Sequence, residues 1–203
     1  MMNIFNMLRY PFVSGIFLPF KCYHKTKIGI KNTAELKLGG RLTIGSSQSK
    51  QAIISCIPTN LYFGYGSKTT IEHSVSIGPG VNIVVKDNAK LTIGESTYFT
   101  SDSHIEVVND MSIGSNCAIS WGVTIIDDDH HELLDDRAKP LLSSTLIIKD
   151  HVWIGCNVTL LKGTEIGNNC VVGAGSVVKG VFPDNVLLVG NPAKIVKQDI
   201  NWR

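Results

Sequence analysis

The sequence predicts an all-β solenoid, a coil of short strands wound as a triangular prism, because its hydrophobic pattern repeats every six residues. In the C-terminal half, one aliphatic residue opens each unit: Ile148, Ile154, Leu160, Ile166, Val172 and Val178. Glycine and asparagine stand at the corners between the units, where a turn requires a positive φ. A six-residue period fits neither an amphipathic helix nor a long alternating strand. Each unit is therefore expected to form one face of the prism, and stacked coils bury the core.

The same period appears earlier, in IEHSVSIGPGVNIVVKDN (residues 71–88) and in IGSNCAISWGVTII (residues 113–126). The fifth place of each unit holds a small or medium-sized residue that we expect to point inward. Cys117 and Cys170 occupy this place, so both are predicted to be buried, inert core residues.

Composition limits the classes of function. The 203 residues suit one domain, and 43% hydrophobic against 18% charged residues predicts a packed core. A net charge of +2, with an acidic cluster at residues 127–136, argues against nucleic acid as a ligand. Five cysteines without a CxxC pair indicate neither a disulfide framework nor a zinc knuckle, which favours a reducing, cytoplasmic compartment.

The N-terminal stretch MLRYPFVSGIFLPF (residues 7–20) is apolar but is interrupted by Arg9, Pro11 and Pro19. It fits neither a signal peptide nor a spanning helix. We expect it to pack against the body of the protein or a partner subunit. Peripheral contact with the inner membrane surface is the alternative.

The six-residue period stops after Ile125 and resumes near Leu146. The intervening loop begins with DDDHHELLDD (residues 127–136), which places two histidines among acidic residues. A long loop in a compact solenoid usually has a function. This loop is therefore the first candidate for an active site.

Four motifs follow one another: an Asp-x-Asp-x-His loop, VWIG, GAGSVV and GNPAK. In this combination the chain resembles the acetyl-CoA-dependent O-acetyltransferases among the hexapeptide-repeat acyltransferases, the branch that includes maltose, galactoside and bacterial polysaccharide O-acetyltransferases. The resemblance implies a left-handed parallel β-helix over residues 28–196, with a protruding catalytic loop at about residues 127–145. Residues 1–27 would then form an N-terminal apolar extension and residues 197–203 a C-terminal tail. It also implies a homotrimer with active sites between subunits.

The predicted chemistry requires a histidine. A sugar hydroxyl attacks a thioester usefully only if a base removes its proton, and imidazole titrates near neutral pH. The resemblance places this base in the loop. The Asp-x-Asp-x-His pattern assigns His131 as the base, with Asp127 and Asp129 as its carboxylates, whereas the distance from Val123 assigns His130. We favour His131, and both stay open.

The resemblance also implies an acetyl-CoA groove and no metal. Its predicted residues are Cys156, Gly173, Ala174, Ser176, Lys179 and Lys194. Small residues would let the pantetheine arm lie against the backbone, and the two lysines would meet the phosphates. Trp153 of VWIG would line the groove beside the active site. The chain departs from many relatives at SVVKGVF, where Lys179 stands one position early, so the phosphate contacts are open.

The leading interpretation is direct transfer of acetyl from acetyl-CoA to a carbohydrate hydroxyl, in a bacterial surface polysaccharide. An antibiotic-modifying O-acetyltransferase is the second, because an acidic loop could receive a cationic drug. A zinc enzyme similar to γ-carbonic anhydrase would need His130, His131 and His151 on one metal. A non-catalytic structural trimer is the last alternative.

Overall fold

The protein is described by a computed structural model that covers residues 13–14, 20–22, 26–45, 58–131 and 145–203. Its strands form three sheets, named A, B and C here. Sheet A contains β1 (Val13–Ser14), β4 (Glu35–Leu38), β7 (Lys68–Ile71), β10 (Lys90–Ile93), β13 (Asp110–Ile113), β16 (Leu146–Ile148), β19 (Glu165–Ile166) and β22 (Val181–Phe182). Sheet B contains β2 (Phe20–Cys22), β5 (Leu42–Ile44), β8 (Val75–Ile77), β11 (Tyr98–Phe99), β14 (Ala118–Ile119), β17 (Trp153–Ile154), β20 (Val171–Val172), β23 (Leu187–Gly190) and β24 (Ala193–Lys197). Sheet C contains β3 (Thr26–Ile30), β6 (Thr59–Phe63), β9 (Asn82–Val85), β12 (His104–Val107), β15 (Thr124–Ile126), β18 (Thr159–Leu160) and β21 (Val177–Val178).

Neighbouring strands within a sheet come from successive coils. Leu91 of β10, for example, lies opposite Thr69 in the coil before and Met111 in the coil after. The pairing is parallel in all three sheets, apart from β24, which runs antiparallel to β23 at the C-terminal end. The chain is the left-handed parallel β-helix that the motifs predicted.

The core is a set of columns with one residue per coil. On sheet C the inward column is Leu61, Ile83, Ile105, Ile125, Leu160 and Val178, each at most 2% exposed. Burial of each such side chain contributes about 1.5–3 kcal/mol to the free energy of unfolding. The predicted period is confirmed, since Ile148, Ile154, Ile166 and Val172 are equally buried.

Corners of the prism use left-handed backbone conformations, as the repeat predicted. Asn116, Asn157 and Asn169 have φ values of 56°, 56° and 57°. The fifth-place cysteines Cys117 and Cys170 are fully buried, which confirms them as core residues. Burial raises the pKa of the Cys117 thiol to about 11, so little of it is thiolate at neutral pH.

Strand pairing reaches closer to the N-terminus than residue 28, where the sequence placed the start of the coil. β1 pairs with β4, and β2 pairs with β5, both in parallel. The extension therefore contributes strands to the solenoid, while the rest of residues 1–25 lies outside the described residues. Within the described ranges, we find no helix with the length and apolar character needed to cross a membrane.

Candidate active site

The segment predicted to form the catalytic loop begins after β15, and its first residue, Asp127, is part of the core. Asp127 is fully buried at an inward position. Its Oδ1 accepts a hydrogen bond from the Val108 amide (2.7 Å), and its Oδ2 accepts one from the Asn109 amide (3.0 Å). Burial raises the pKa of Asp127 above its usual value, although the two hydrogen bonds oppose the shift. The carboxylate of Asp127, a predicted partner of the base, is thus hydrogen-bonded to the backbone of the preceding coil.

The next two carboxylates connect the loop to the coils on either side. Asp128 Oδ1 accepts from the His130 amide (2.6 Å), and its Oδ2 accepts from the Asn109 side-chain amide (3.3 Å). Asp129 Oδ2 lies 2.8 Å from Lys162 Nζ in the following coil. Residues 127–131, called the loop base below, are therefore tied to the coil before and to the coil after.

The two loop histidines have different surroundings. His130 has a φ of 56°, and its Nε2 lies 3.5 Å from Glu106 Oε2. His131 is exposed, and its Nδ1 lies 3.4 Å from the backbone oxygen of Asp129. Because a carbonyl oxygen can only accept, this long contact favours the proton on Nδ1 and leaves Nε2 able to take a proton. Loop residues 132–144 lie outside the described residues.

Glu106 is a site residue that sequence reasoning missed. Its Oε1 lies 2.8 Å from Lys86 Nζ, and its Oε2 faces both His130 and His104 Nε2, the latter at 3.7 Å. Burial alone would raise the pKa of Glu106, but Lys86 and His130 hold it below its usual value. No motif surrounds Glu106 in IEVVND, so the sequence offered no local signal for it.

Trp153 lies on the outer face of sheet B and is 43% exposed. Its indole Nε1 donates to Ser120 Oγ at 3.3 Å. The ring of Trp202 lies 6.1 Å away, tilted by 45°, and stacks on His151 with a 4.3 Å centroid separation. Trp202 Nε1 also donates to the His151 carbonyl at 2.8 Å. The C-terminal tail thus places a second tryptophan, which was not predicted, beside Trp153.

The corner between sheets B and C brings three predicted cofactor residues together, namely Cys156, Gly173 and Ala174. Its turns stack one above another: the Asn157 amide donates to the Trp121 carbonyl (3.0 Å), and the Gly175 amide donates to the Cys156 carbonyl (2.9 Å). Ala174 is exposed in the upper turn, and Trp121, in the lower turn, is 46% exposed. This B/C corner, residues 121–122, 155–157 and 173–175, therefore presents mostly small residues beside the exposed Trp121.

The other predicted cofactor residues are distributed differently. Ser176 is buried, and its Oγ donates to the Gly173 carbonyl (2.7 Å) and accepts from the Gly190 amide (3.1 Å). It therefore stabilises the turn and does not face solvent. Lys179, after β21 of sheet C, and Lys194, on β24 of sheet B, are both exposed near the C-terminal end of the coil.

The histidines of the zinc interpretation do not assemble in the described part of the chain. There, no three His, Cys, Asp or Glu side chains come together as possible metal ligands. His151 Nδ1 lies 3.0 Å from Asn169 Oδ1, and its ring packs on Trp202. His151 lies at the corner between β16 of sheet A and β17 of sheet B, whereas His130 lies against Glu106 on sheet C.

Comparisons with known proteins agree with the fold. A family model described as bacterial transferase hexapeptide (six repeats) matches residues 146–180. Over 146 residues the chain is 36% identical to the putative lipopolysaccharide biosynthesis O-acetyl transferase WbbJ of Escherichia coli K12, an alignment that covers 63% of this chain and 74% of that protein. Two other curated relatives are longer, and the chain spans 42% and 40% of their lengths.

Solved structures show the same architecture. The polysialic acid O-acetyltransferase OatWY is 27% identical, with a TM-score of 0.64, over 91% of this chain and 90% of that chain. The hexapeptide-repeat acetyltransferase VCA0836 of Vibrio cholerae O1 biovar eltor, solved in complex with acetyl coenzyme A, is 26% identical, with a TM-score of 0.54, over 66% of this chain and 70% of that chain.

Proposed function

Because this chain belongs to the hexapeptide-repeat acyltransferase family and is an O-acetyltransferase, we propose that it transfers acetyl from acetyl-CoA to a hydroxyl of a bacterial surface polysaccharide. One observation supports the chemistry most directly: His131 Nδ1 lies 3.4 Å from the Asp129 carbonyl oxygen, and in the tautomer that donates to this oxygen Nε2 is available to take a proton. The acceptor class rests on the relatives, which are named for lipopolysaccharide biosynthesis and for polysialic acid. The donor rests on the similar structure with bound acetyl-CoA.

In the proposed mechanism, His131 acts as general base. Its Nε2 takes the proton of the sugar hydroxyl while the hydroxyl oxygen bonds to the thioester carbon. The Asp129 carbonyl oxygen accepts a hydrogen bond from Nδ1–H and so stabilises the imidazolium that forms. The bond from carbon to sulfur then breaks, and the proton passes to the leaving sulfur. The products are the sugar acetyl ester and free CoA thiol, with no acetyl left on the protein.

We assign the B/C corner as the acetyl-CoA groove. Cys156 and Ala174 have small side chains on adjacent turns, so the pantetheine arm can approach backbone amides there. Trp153 would border the thioester end. The exposed Lys179 and Lys194 supply positive charge for the phosphates.

The separation of groove and base supports a homotrimer with shared active sites. The groove lies where the strands of sheet C begin, and the loop base lies where they end. Strand β15 connects the two. At roughly 3.3 Å per residue, the six steps from Gly122 to Asp128 span up to about 20 Å. A proton acceptor and a thioester must be far closer than this. We therefore propose that the loop of one subunit meets the groove of the next.

Mixing two inactive variants tests the shared site. His131→Gln removes the base, and Ala174→Trp fills the groove at an exposed position. When the two are co-expressed, random mixing leaves both halves intact at about one interface in four, so about a quarter of wild-type activity should return. Absence of any recovery in mixed trimers, or a monomer in light scattering, would contradict the shared site.

The acceptor class is tested by the rate of free thiol release from acetyl-CoA. Bacterial surface oligosaccharides are expected to accelerate release by the wild type and not by His131→Gln. Cationic and neutral antibiotics serve as competing acceptors. Acceleration by an antibiotic alone would indicate an antibiotic-modifying O-acetyltransferase. If no sugar accelerated thiol release, the proposed carbohydrate acceptor would be wrong.

A cytoplasmic location is part of the proposal. Four cysteines fall within the described residues, and all four are free thiols: Cys22, Cys117, Cys156 and Cys170. Free thiols are typical of a reducing compartment, where acetyl-CoA is also made. Contact of residues 1–20 with the inner membrane surface stays a prediction, because most of that segment lies outside the described residues.

A further inference from the structure

We propose that Glu106 is a positioning residue of the transfer reaction, which holds His130 against sheet C and thereby places His131, the next residue. This inference rests on the proposed function of His131 as the base. Glu106 lies on β12, one coil before β15, the strand that precedes the loop, and its side chain is only 18% exposed.

The two oxygens of Glu106 have separate partners. Oε1 is 2.8 Å from Lys86 Nζ, which anchors the carboxylate from the preceding coil. Oε2 is 3.5 Å from His130 Nε2 and so faces the loop base. Strand register places Glu106 opposite Ile126, the last residue of β15 before the loop. The carboxylate therefore stands where the chain leaves the coil.

Charge makes Glu106 a fixed acceptor. Its lowered pKa keeps the carboxylate ionised at neutral pH, so it can accept hydrogen bonds but has little tendency to take the substrate proton. A further imidazole adds to this arrangement. The Asn82 side-chain amide lies 3.0 Å from His104 Nδ1, and donation there puts the His104 proton on Nε2, which faces Glu106. Among the residues that the structure describes, the charged or titratable groups that face the carboxylate are thus Lys86, His104 and His130.

Anchoring His130 constrains His131. A positive φ at a residue other than glycine persists only where its surroundings hold it. Here the Asp128 carboxylate holds the His130 amide, and Glu106 holds its ring. On the N-terminal side of His130, Asp129 is tied to Lys162. A base displaced by about 1 Å can lose on the order of 100-fold in rate.

The test is a double-mutant cycle between Glu106→Gln and His130→Gln. Each single variant is expected to lower kcat about 10- to 100-fold, with the KM for acetyl-CoA unchanged. The double variant should be no slower than the worse single variant, because both substitutions remove the same contact, that between Glu106 and His130. Glu165→Gln is the matched control, since Glu165 pairs with Lys149 (3.2 Å) on sheet A, and its kcat should equal that of the wild type.

A second measurement does not need turnover. Hydrogen exchange of the amides of residues 125–131 is expected to be faster in Glu106→Gln than in the wild type, with an unchanged melting temperature. Unchanged exchange in this segment overturns the inference, whatever the activity. So does a wild-type kcat in Glu106→Gln, or strictly additive effects in the cycle. Failure of the proposed function shows separately, as a wild type without sugar-dependent thiol release.

Discussion

Replacing His131 by glutamine is expected to lower kcat about 10²- to 10⁴-fold, the range that removal of a general base produces. Glutamine is similar in size and forms hydrogen bonds, but it cannot take a proton at neutral pH. The KM for acetyl-CoA should stay near the wild-type value, because the substitution leaves the residues assigned to acetyl-CoA at the B/C corner unchanged. Steady-state rates of free thiol release with a sugar acceptor measure both constants.

His130→Gln is the matched control for this prediction. It alters the adjacent imidazole on the same loop, so it exposes any general sensitivity of the loop to substitution. We expect it to lower kcat about 10- to 100-fold through displacement of His131, and to remain well above His131→Gln. If His130→Gln abolished turnover while His131→Gln kept a wild-type kcat, the base would be His130.

Asp127→Ala is expected to lower the free energy of unfolding by about 2–4 kcal/mol. The substitution removes the acceptors of two half-buried backbone amides in the turn after β12, and each buried donor left without a partner costs about 1–3 kcal/mol. Asp127→Asn keeps the shape and one acceptor oxygen, so its loss should be smaller. Melting temperatures at one fixed protein concentration provide the measurement, because assembly alters apparent stability.

Asp128→Ala separates this effect from a general effect of the acidic loop. Asp128 is only partly buried, and we expect its loss to cost about 1 kcal/mol or less. The pH dependence is a further check. Burial raises the pKa of Asp127 above its ordinary value of 3.8, so stability from this group falls as pH rises through the raised pKa. As the pH rises, the free energy of unfolding of Asp127→Asn should therefore increase relative to that of the wild type. Equal melting temperatures for Asp127→Ala and Asp128→Ala would contradict the structural role.

Much of the fold could be predicted because one residue spacing determines it. Ile154 and Leu160 are fully buried since both stand at the first place of a six-residue unit. The same spacing explains part of the site. Cys156 and Ala174 stand three units apart, which is one full coil, so they stack at one corner of the prism.

The rest depends on contacts that no spacing encodes. Asp127 fills the inward place that Val107 fills one coil earlier, and a buried carboxylate is stable there only because two amides of the preceding turn point at it. The contact between His130 and Glu106 requires the loop base to fold back onto sheet C. Trp202 belongs to a tail without a repeat, and its stacking on His151 is a tertiary contact.

The central claim, direct transfer of acetyl to a sugar hydroxyl, is tested most directly by the fate of an isotope-labelled acetyl group. The wild type would be incubated with labelled acetyl-CoA and a surface oligosaccharide, and the sugar, the protein and free acetate would be analysed by mass spectrometry. The account predicts label in an ester on the oligosaccharide, in an amount equal to the free thiol, with none on the protein. Label only in free acetate, or retained on Cys156, would contradict it.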